Sequence, residues 1–452
     1  MRSGAEAVRQ TLVDALPAGT SLCAAFSGGR DSTVLLHALA GLRAGRGWRL
    51  RAIHVDHQLH HDAGQWSAHC VDVARRLAVP LDVVRVDVAR DGGRGLEAAA
   101  REARYGALRS LLRADEWLLT AHHADDQLET VLLHLLRGSG IAGLAGIPVS
   151  AQFGPGQLCR PLLHTLAADI AAYGDTVLKP AGFNWLSDPM NADLGGDRAY
   201  VRHRIAPVLR GRFPAVDRAF GRSAAHAAEA AGLLDDMARI DAGEVVDGHR
   251  LSIMALGRLP ASRQRNLLLW LVRERGWAVP PERRLREGLA QLLAAAPGRQ
   301  PVLAWAGHEV RRYRDQLHLI DVAPDSFGPG MEQAIPWPRG QTLALGGVRG
   351  ELDLRPTDDG ERLAAGLAGE LLTVQFRRGG ERLRAGADPH HRTLKYLYQS
   401  QGIVPWMRAH VPLILAGGRL AAVGDLWIAD WAAAAAGEPG FAVVWTKHAP
   451  LY

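Results

Sequence analysis

The stretch LCAAFSGGRDSTVLLHAL, residues 22–39, joins an apolar run to an apolar helical pattern through a short loop of serine, glycine and charged residues. A strand that ends in such a loop and continues into a helix is typical of an anion site. Freed backbone N–H groups and the helix N-terminus then point at one spot. The stretch therefore predicts a phosphate-binding loop at the carboxyl end of a buried strand.

The predicted phosphate-binding loop consists of consecutive residues: Ser27, Gly28, Gly29, Arg30, Asp31 and Ser32. Adjacent glycines let the main chain approach an anion closely, and the two hydroxyl groups add donors. The loop matches neither the Walker A pattern nor G-x-G-x-x-G. A carboxylate beside a polyphosphate needs a cation between them, so Asp31 predicts a bound Mg²⁺. The structural alternative is an Asp/Ser cap on an ordinary helix.

The residues around this loop alternate apolar strands with amphipathic helices, which is typical of a parallel α/β sheet. The predicted strands cover residues 21–26, 50–55, 81–88 and 117–121. The predicted helices cover residues 33–42, 65–77, 96–113 and 125–137. Right-handed crossovers place the loops that follow the strands at one edge of the sheet, where such sheets bind ligands.

The second strand is followed by a turn rich in histidine and aspartate: His54, Asp56, His57, His60 and His61. A zinc site fits this composition, but a solvated turn is the preferred interpretation of the turn alone.

The fourth strand is followed by TAHHADDQLETVLLHLLRGSG, residues 120–140. A helix that begins near His122 would place His122, Asp126 and Glu129 on one face. Such a group can hold Mg²⁺, position a cationic amine or accept a proton. The alternative is an acidic first turn that the helix dipole stabilises.

Composition narrows the class of protein. The 452 residues carry 53 Lys and Arg against 47 Asp and Glu, a formal charge of +6 that favours polyanionic partners. Cys23, Cys70 and Cys159 are scattered, which argues against a disulfide framework, a zinc site or an iron–sulfur cluster. No stretch has the pattern of a signal peptide or a membrane span. We expect a cytoplasmic protein without a membrane partner.

Four parts are predicted along the chain. Residues 1–215 form the α/β catalytic domain, and residues 216–321 form a mostly helical domain that ends in a hairpin. Residues 322–340, rich in Pro and Gly, are expected to be a linker. Residues 341–452 are expected to form a small α+β domain.

The loop at residues 27–32 resembles that of the N-type ATP pyrophosphatase (PP-loop) superfamily, whose pattern is Ser-Gly-Gly-x-Asp-Ser. Further motifs in order are similar to those of the tRNA(Ile)-lysidine synthetases within it. They are HVDHQL (54–59), EAAAREARYGAL (97–108), TAHHADDQLET (120–130), LLRGSGIAGLAGI (135–147), RPLL (160–163), WLSDPMNAD (185–193), RAYVRHRIAPVL (198–209), FRRGGERLR (376–384) and LKYLYQSQGIVPWMRAHVPLI (394–414).

The resemblance implies a Rossmann-like adenylation domain that uses ATP and Mg²⁺. It implies ligation of free L-lysine to the 2-position of the wobble cytidine of tRNA(Ile) with a CAU anticodon. The cytidine is first adenylated, and the products are lysidine, AMP and pyrophosphate. The implied catalytic residues are Asp31, His122, Asp126, Glu129 and Arg198, and the implied nucleotide ligands are residues 27–32. His122, Asp126 and Glu129 all remain open as the base, and the oligomeric state is left open with a homodimer as one expectation.

Arginine-rich segments give the tRNA a surface to bind. Arg198, Arg202 and Arg204 are expected to contact the anticodon loop or the α-phosphate. A second basic cluster is expected to contact the RNA backbone: Arg377, Arg378, Arg382, Arg384, Arg392 and Lys395. For the interleaved aromatic residues Phe376, Tyr396 and Trp406, core packing is the preferred interpretation.

Three positions depart from the family pattern: Ala199, Met190 and Ala167 stand where Asn, Ser and Arg are usual. Three other functions are considered. A tRNA sulfur-transfer enzyme needs paired or cluster-binding cysteines, which this chain does not offer. A non-catalytic RNA-binding scaffold has no need of Asp31 beside a phosphate loop. A histidine-based metal hydrolase is a distant third.

Overall fold

The computed structural model divides into two compact units, Met1–Leu234 and Asp235–Tyr452. The described residues are 4–58, 63–88, 96–186, 196–296, 298–322, 334–338, 340–369, 371–386 and 390–452. The finer division into three domains and a linker stays a prediction. Most of the expected linker lies outside the described residues, although Ile335–Trp337 within it forms a strand.

The first unit contains one six-stranded sheet and the helices that flank it. Its strands are β1 (Ser21–Ala25), β2 (Arg49–Asp56), β3 (Leu81–Arg85), β4 (Glu116–Leu119), β5 (Ser150–Phe153) and β6 (Gly156–Cys159). Its helices are α1 (Gly4–Ala15), α2 (Arg30–Arg46), α3 (Ala63–Arg76), α4 (Leu96–Leu111), α5 (Ala124–Leu136), α6 (Ile141–Leu144), α7 (Ala167–Tyr173), α8 (Asp197–Tyr200) and α9 (Ala206–Arg212). The helix α10 (Val216–Val245) begins in this unit.

The strand order is β3-β2-β1-β4-β6-β5, and the first five of these strands are parallel. β1 lies at the centre and is buried, as the apolar run before the glycine loop predicts. α2 starts directly after that loop and ends at Gly47, whose φ of 67° is the left-handed conformation that glycine adopts at helix ends. The carboxyl end of β1 therefore delivers the loop to the edge of the sheet where ligands bind.

The parallel α/β fold predicted from the sequence is confirmed, with four strands and four helices near their predicted bounds. The hairpin of β5 and β6 was not predicted; its antiparallel strands end the sheet. α5 begins at Ala124, one residue before the predicted start at residue 125 and two residues after the alternative start near His122. His123 caps the helix, so His122 does not share a helical face with Asp126 and Glu129.

A buried ion pair supports the amino-terminal edge of this sheet. Arg51 on β2 donates from Nε and Nη2 to the carboxylate of Glu116 on β4, at 2.7 and 2.5 Å. A third bond reaches the more exposed Asp82 on β3 at 2.8 Å. Burial raises the pKa of Glu116, but the hydrogen bonds and charge of Arg51 outweigh burial and leave that pKa below its usual value.

Glu116→Gln is expected to lower the free energy of unfolding by about 2–4 kcal/mol. The substitution removes the negative charge beside the buried Arg51 guanidinium and one of the two oxygens that accept its hydrogen bonds. A carboxyl pKa that is depressed by folding adds stability above its unfolded value and loses it as the pH falls. The difference from wild type should therefore shrink below about pH 4.5. Denaturant unfolding at pH 7 and pH 4 measures both effects. Asp82→Asn is the control, with an expected loss under about 1 kcal/mol; equal losses for the two variants would contradict the account.

Within its described residues, the second unit is built from antiparallel sheets and four helices that follow α10. The helices are α11 (Ile253–Arg258), α12 (Ala261–Glu274), α13 (Glu282–Ala294) and α14 (Leu394–Gln401). The first group of strands is β7 (Val246–Asp247), β8 (Arg250–Ser252), β9 (Val302–Trp305), β10 (His308–Tyr313) and β11 (Gln316–Asp321). These five form one sheet in the order β7-β8-β11-β10-β9. The predicted hairpin is thus part of a larger sheet that packs with the predicted helices.

The remaining strands form the carboxyl-terminal α+β region that was predicted. They are β12 (Ile335–Trp337), β13 (Leu343–Ala344), β14 (Glu351–Thr357), β15 (Leu363–Ala364), β16 (Leu372–Gln375), β17 (Arg382–Leu383), β18 (Arg392–Thr393), β19 (Leu413–Ala416), β20 (Arg419–Val423), β21 (Trp427–Ile428) and β22 (Gly440–Thr446). Two sheets, in the orders β12-β16-β19-β20-β21 and β13-β14-β22-β15, enclose one core with α14.

Among the helices of the described residues, none combines the length and the apolar character needed to cross a bilayer.

Candidate active site

A cavity of about 750 Å³ opens at the carboxyl edge of the parallel sheet in the first unit. The loops that follow β1, β2 and β4 all contribute to its wall, represented by Ser27, His54 and His122. Three segments that are distant in sequence therefore meet where the strand order predicted that they would. Such an edge is the usual ligand site of open α/β sheets.

The loop between β1 and α2 is shaped to expose backbone N–H groups. Gly28 has a φ of +80°, and a Cβ added there would lie 2.8 Å from Cys70 Sγ. Its carbonyl accepts a hydrogen bond from the Leu186 N–H at 2.9 Å. Gly29 is the N-cap of α2 and receives no side-chain capping bond. α2 is therefore not capped by an Asp or Ser side chain, which was the structural alternative. Its first backbone N–H groups stay available to an anion.

Asp31 stands in the first turn of α2 and lines the cavity. Its Oδ1 lies 3.2 Å from Arg30 Nε, and its Oδ2 lies 3.6 Å from His123 Nε2. Burial raises the pKa of Asp31, but the hydrogen bond and charge of His123, together with Arg30, outweigh it and lower that pKa. The carboxylate is therefore ionised at neutral pH and can supply oxygen ligands to a cation.

His123 is a site residue that sequence reasoning missed. The ring Nδ1 of His123 accepts from the Asp125 backbone N–H at 3.3 Å, and the backbone N–H of His123 donates to Asp126 Oδ2 at 3.0 Å. The ring is thereby held with Nε2 between Asp31 Oδ2 at 3.6 Å and Asp126 Oδ2 at 3.8 Å. Burial lowers the pKa of His123, but its carboxylate neighbours, Asp31 first, raise it overall. The carboxylate three residues after His123 is the only sequence signal for this capping box.

His122 lines the same cavity, and its Nδ1 lies 2.8 Å from Thr120 Oγ1. Burial lowers the pKa of His122 to about 4, with Asp126 opposing the shift and nearby arginines adding to it. The imidazole is therefore neutral at pH 7 and can accept a proton.

Asp126 and Glu129 on α5 form an ion cluster with Arg198 and Arg202. Glu129 is 1% exposed, and it accepts from Arg198 Nε at 2.8 Å and from Arg202 Nε at 2.6 Å. Asp126 Oδ1 accepts from Arg198 Nη2 at 2.9 Å. Of these four described residues, only Asp126 and Arg202 line the cavity. The Glu129 carboxylate is thus held between two guanidinium groups.

The histidine-rich turn supplies wall residues. His54 is buried, with Nδ1 2.9 Å from the Phe26 carbonyl oxygen, while Asp56 accepts from the Gln58 N–H. His60 and His61 lie outside the described residues. Within the described ranges, no group of three His, Cys, Asp or Glu side chains is arranged to hold a metal.

The three departures from the family pattern fall in different places. Ala167 lines the cavity, and Ala199 lies in α8. Met190 and Asn191 lie outside the described residues.

The cysteines offer no reactive thiol. Cys23, Cys70 and Cys159 are all buried and free. Burial raises the pKa of Cys23 and of Cys70 to about 12, and that of Cys159 to about 11. A thiolate nucleophile or persulfide carrier is disfavoured at each position.

The basic cluster of the second unit is partly paired. Arg384 Nε lies 2.5 Å from Asp430 Oδ2, and Arg377 Nε lies 3.8 Å from Glu381 Oε2. Core packing is confirmed for Phe376, which is buried, and for Trp406, which packs against the core. Tyr396 differs, since it is 52% exposed beneath the Arg392 guanidinium.

Comparison with known proteins identifies three matching family models. A model described as a PP-loop domain matches residues 4–209. A TilS substrate binding domain matches residues 251–318, and a TilS substrate C-terminal domain matches residues 372–445.

Curated relatives match almost the whole chain. A tRNA(Ile)-lysidine synthase of Alkalilimnicola ehrlichii is 44% identical over 95% of this chain and 94% of its own length. Enzymes of the same name from Methylococcus capsulatus and Coxiella burnetii are 40% and 36% identical, over 95% and 91% of this chain and 97% and 90% of their own lengths.

Proposed function

This chain belongs to the tRNA(Ile)-lysidine synthase family, and we propose that the cavity at the edge of its parallel sheet joins lysine to the wobble cytidine of tRNA(Ile). The observation that carries the proposal is the meeting of a phosphate loop with Asp31, His122 and Arg202 in one cavity. The reaction has two steps. Cytosine O2 bonds to the α-phosphorus of ATP as pyrophosphate leaves, and the lysine amine then bonds to C2 as AMP leaves with that oxygen.

ATP use follows from the PP-loop domain. We place the pyrophosphate portion of ATP on the loop at residues 27–32, where backbone N–H groups meet the N-terminus of α2. Arg30 is positioned to add positive charge beside the leaving group.

Gly28→Ala is expected to weaken ATP binding at least about tenfold, because the left-handed backbone disfavours a Cβ by about 1–2 kcal/mol and the added atom would displace the loop from Cys70. Equilibrium titration with ATP and Mg²⁺ measures the change. Gly41→Ala in the middle of α2, where a Cβ meets nothing within 4 Å, is the control. Equal affinities of the two variants for ATP would contradict the placement of ATP on the loop at residues 27–32.

The residues present fit a Mg²⁺ ion that accompanies ATP. Mg²⁺ is commonly held by one or two carboxylates together with substrate phosphates and water, so a three-residue protein cluster is not required. Asp31 is ionised and faces the cavity, and we propose that it holds the ion. The ion would neutralise charge that develops between the α- and β-phosphates.

Free lysine must lose a proton from its ε-amine, whose ordinary pKa is about 10.4. We propose that His122 takes this proton, because its ring is neutral and lines the cavity. Asp126 and Glu129 are both engaged in ion pairs with arginines. We propose that Glu129 orients Arg198 and Arg202, and that these arginines stabilise the phosphate charge or contact the anticodon loop.

The partners follow from the same proposal. They are free L-lysine and tRNA(Ile) with a CAU anticodon, with Arg204 and the basic cluster of the second unit contacting RNA phosphates. We propose that the enzyme acts in the cytoplasm, in keeping with its three free thiols. A homodimer remains an expectation.

The proposed chemistry is tested by the products of ATP. Incubation with ATP, Mg²⁺ and the tRNA(Ile) transcript, without lysine, should form pyrophosphate in a tRNA-dependent manner with AMP retained on the RNA. Addition of lysine should then release the AMP. Release of ADP and phosphate instead would contradict adenylation, and cleavage of ATP that does not need tRNA would contradict the proposed acceptor.

A further inference from the structure

Asp125 presents a charge that the proposed function leaves unexplained. The carboxylates Asp31, Asp125 and Asp126 all line the cavity. A polyphosphate in that cavity would be repelled by any carboxylate without a positive partner. Asp31 is paired with Arg30 and His123, and Asp126 is paired with Arg198 and Arg202. Asp56, which also lines the cavity, lies 3.8 Å from Arg85 Nε. The cationic partner of Asp125 is Arg210, in the last turn of α9.

Arg210 is held by a second carboxylate in α10. Its Nε and Nη2 donate to the two oxygens of Asp217 at 2.9 and 2.7 Å. This is the two-pronged pairing that suits a guanidinium group. Asp217 is 8% exposed in the first turn of α10. Nη2 of the same guanidinium also lies 2.5 Å from Asp125 Oδ2. Arg210 therefore bridges the carboxylates of Asp217 and Asp125.

Asp125 is linked to Asp31 through the imidazole ring of His123. The Asp125 N–H donates to His123 Nδ1, and Asp125 Oδ1 lies 3.8 Å from the same nitrogen. The opposite ring nitrogen of His123 faces Asp31. A chain of contacts thus runs from Asp217 through Arg210 and Asp125 to His123 and Asp31.

We propose that Arg210 is a positioning residue for ATP, which neutralises Asp125 and holds its carboxylate against α9 so that the triphosphate meets no uncompensated negative charge. This inference rests on the proposed function, because it takes ATP as the occupant of the cavity. It assigns Arg210 a role that acts through Asp125, without contact with substrate.

The test is the affinity for ATP and Mg²⁺, measured by calorimetry without tRNA in wild type, Arg210→Ala and Arg210→Ala/Asp125→Asn. Arg210→Ala is expected to bind ATP about tenfold more weakly, because a bare carboxylate then faces the phosphates. Removal of that charge in the double variant should restore most of the affinity. Asp125→Asn would also relieve a folding defect of Arg210→Ala, because it removes a carboxylate that has lost its arginine. The free energies of unfolding of the three proteins are therefore measured alongside, and the affinities are compared under conditions in which all three are folded.

Arg212→Ala is the matched control, since Arg212 is an exposed arginine of the same turn that lies over Phe213. Equal affinity in Arg210→Ala and Arg212→Ala would overturn the inference, as would a double variant no better than Arg210→Ala. Arg210→Ala could unfold the chain because it leaves the buried Asp217 carboxylate without a positive partner. In that case, the same ATP affinities are compared among variants that also carry Asp217→Asn. A wild-type protein that binds no ATP would instead contradict the proposed function.

Discussion

Asp31→Asn is expected to lower the rate of pyrophosphate formation on tRNA(Ile) by on the order of 10²–10³-fold. The substitution keeps the size of the side chain but removes the charge that we assign to Mg²⁺ and that faces His123 Nε2 at 3.6 Å. The variant should also need more Mg²⁺ for half-maximal rate. Single-turnover assays over a range of Mg²⁺ concentrations measure both quantities.

The control for Asp31 is Asp14→Asn, an exposed carboxylate on α1. It should retain the wild-type rate and the wild-type Mg²⁺ dependence. An Asp31→Asn enzyme with more than about a tenth of the wild-type rate would contradict a role of this carboxylate in charge stabilisation.

Glu129→Gln is expected to slow the same first step by about 10²-fold, because two guanidinium groups lose the carboxylate that orients them. The affected step separates the proposed orienting role of Glu129 from the role of base, which the sequence left open. If Glu129 orients Arg198 and Arg202, adenylation itself slows. If Glu129 is the base for lysine, adenylation proceeds normally and AMP-linked tRNA accumulates when lysine is added.

The control for Glu129 is Asp197→Asn, which removes the exposed ion pair with Arg137 at the start of α8. It should leave both steps unchanged. Normal adenylation in Glu129→Gln with accumulation of the adenylated tRNA would contradict the orienting role.

The sequence predicts those parts of the site whose structure depends on residues that are close together in the chain. The apolar run, the adjacent glycines and the helical period around residues 22–39 define β1, the loop and α2 without tertiary information. The parallel strand order then brings three loops to one edge. For the same reason, His122 and Asp126 were expected near Asp31, although His122 precedes α5, which begins at Ala124.

The missed features depend on contacts between distant segments. Glu129 meets Arg198 and Arg202, which follow it by 69 and 73 residues, and no spacing rule connects them. The capping role of His123 is local, but a histidine is an uncommon N-cap and Ser, Thr, Asp or Asn are expected there. Its position between Asp31 and Asp126 appears only when β1 and β4 lie side by side.

The most direct test of the account is incorporation of labelled lysine into unmodified tRNA(Ile) with a CAU anticodon, with and without ATP and Mg²⁺. A methionine tRNA with the same anticodon serves as the matched RNA. The account predicts label on the isoleucine tRNA alone, and only when ATP and Mg²⁺ are both present. ATP cleaved to AMP and pyrophosphate with no lysine on either RNA would contradict the assignment of lysine as the nucleophile, and equal label on both RNAs would contradict the assignment of the tRNA substrate.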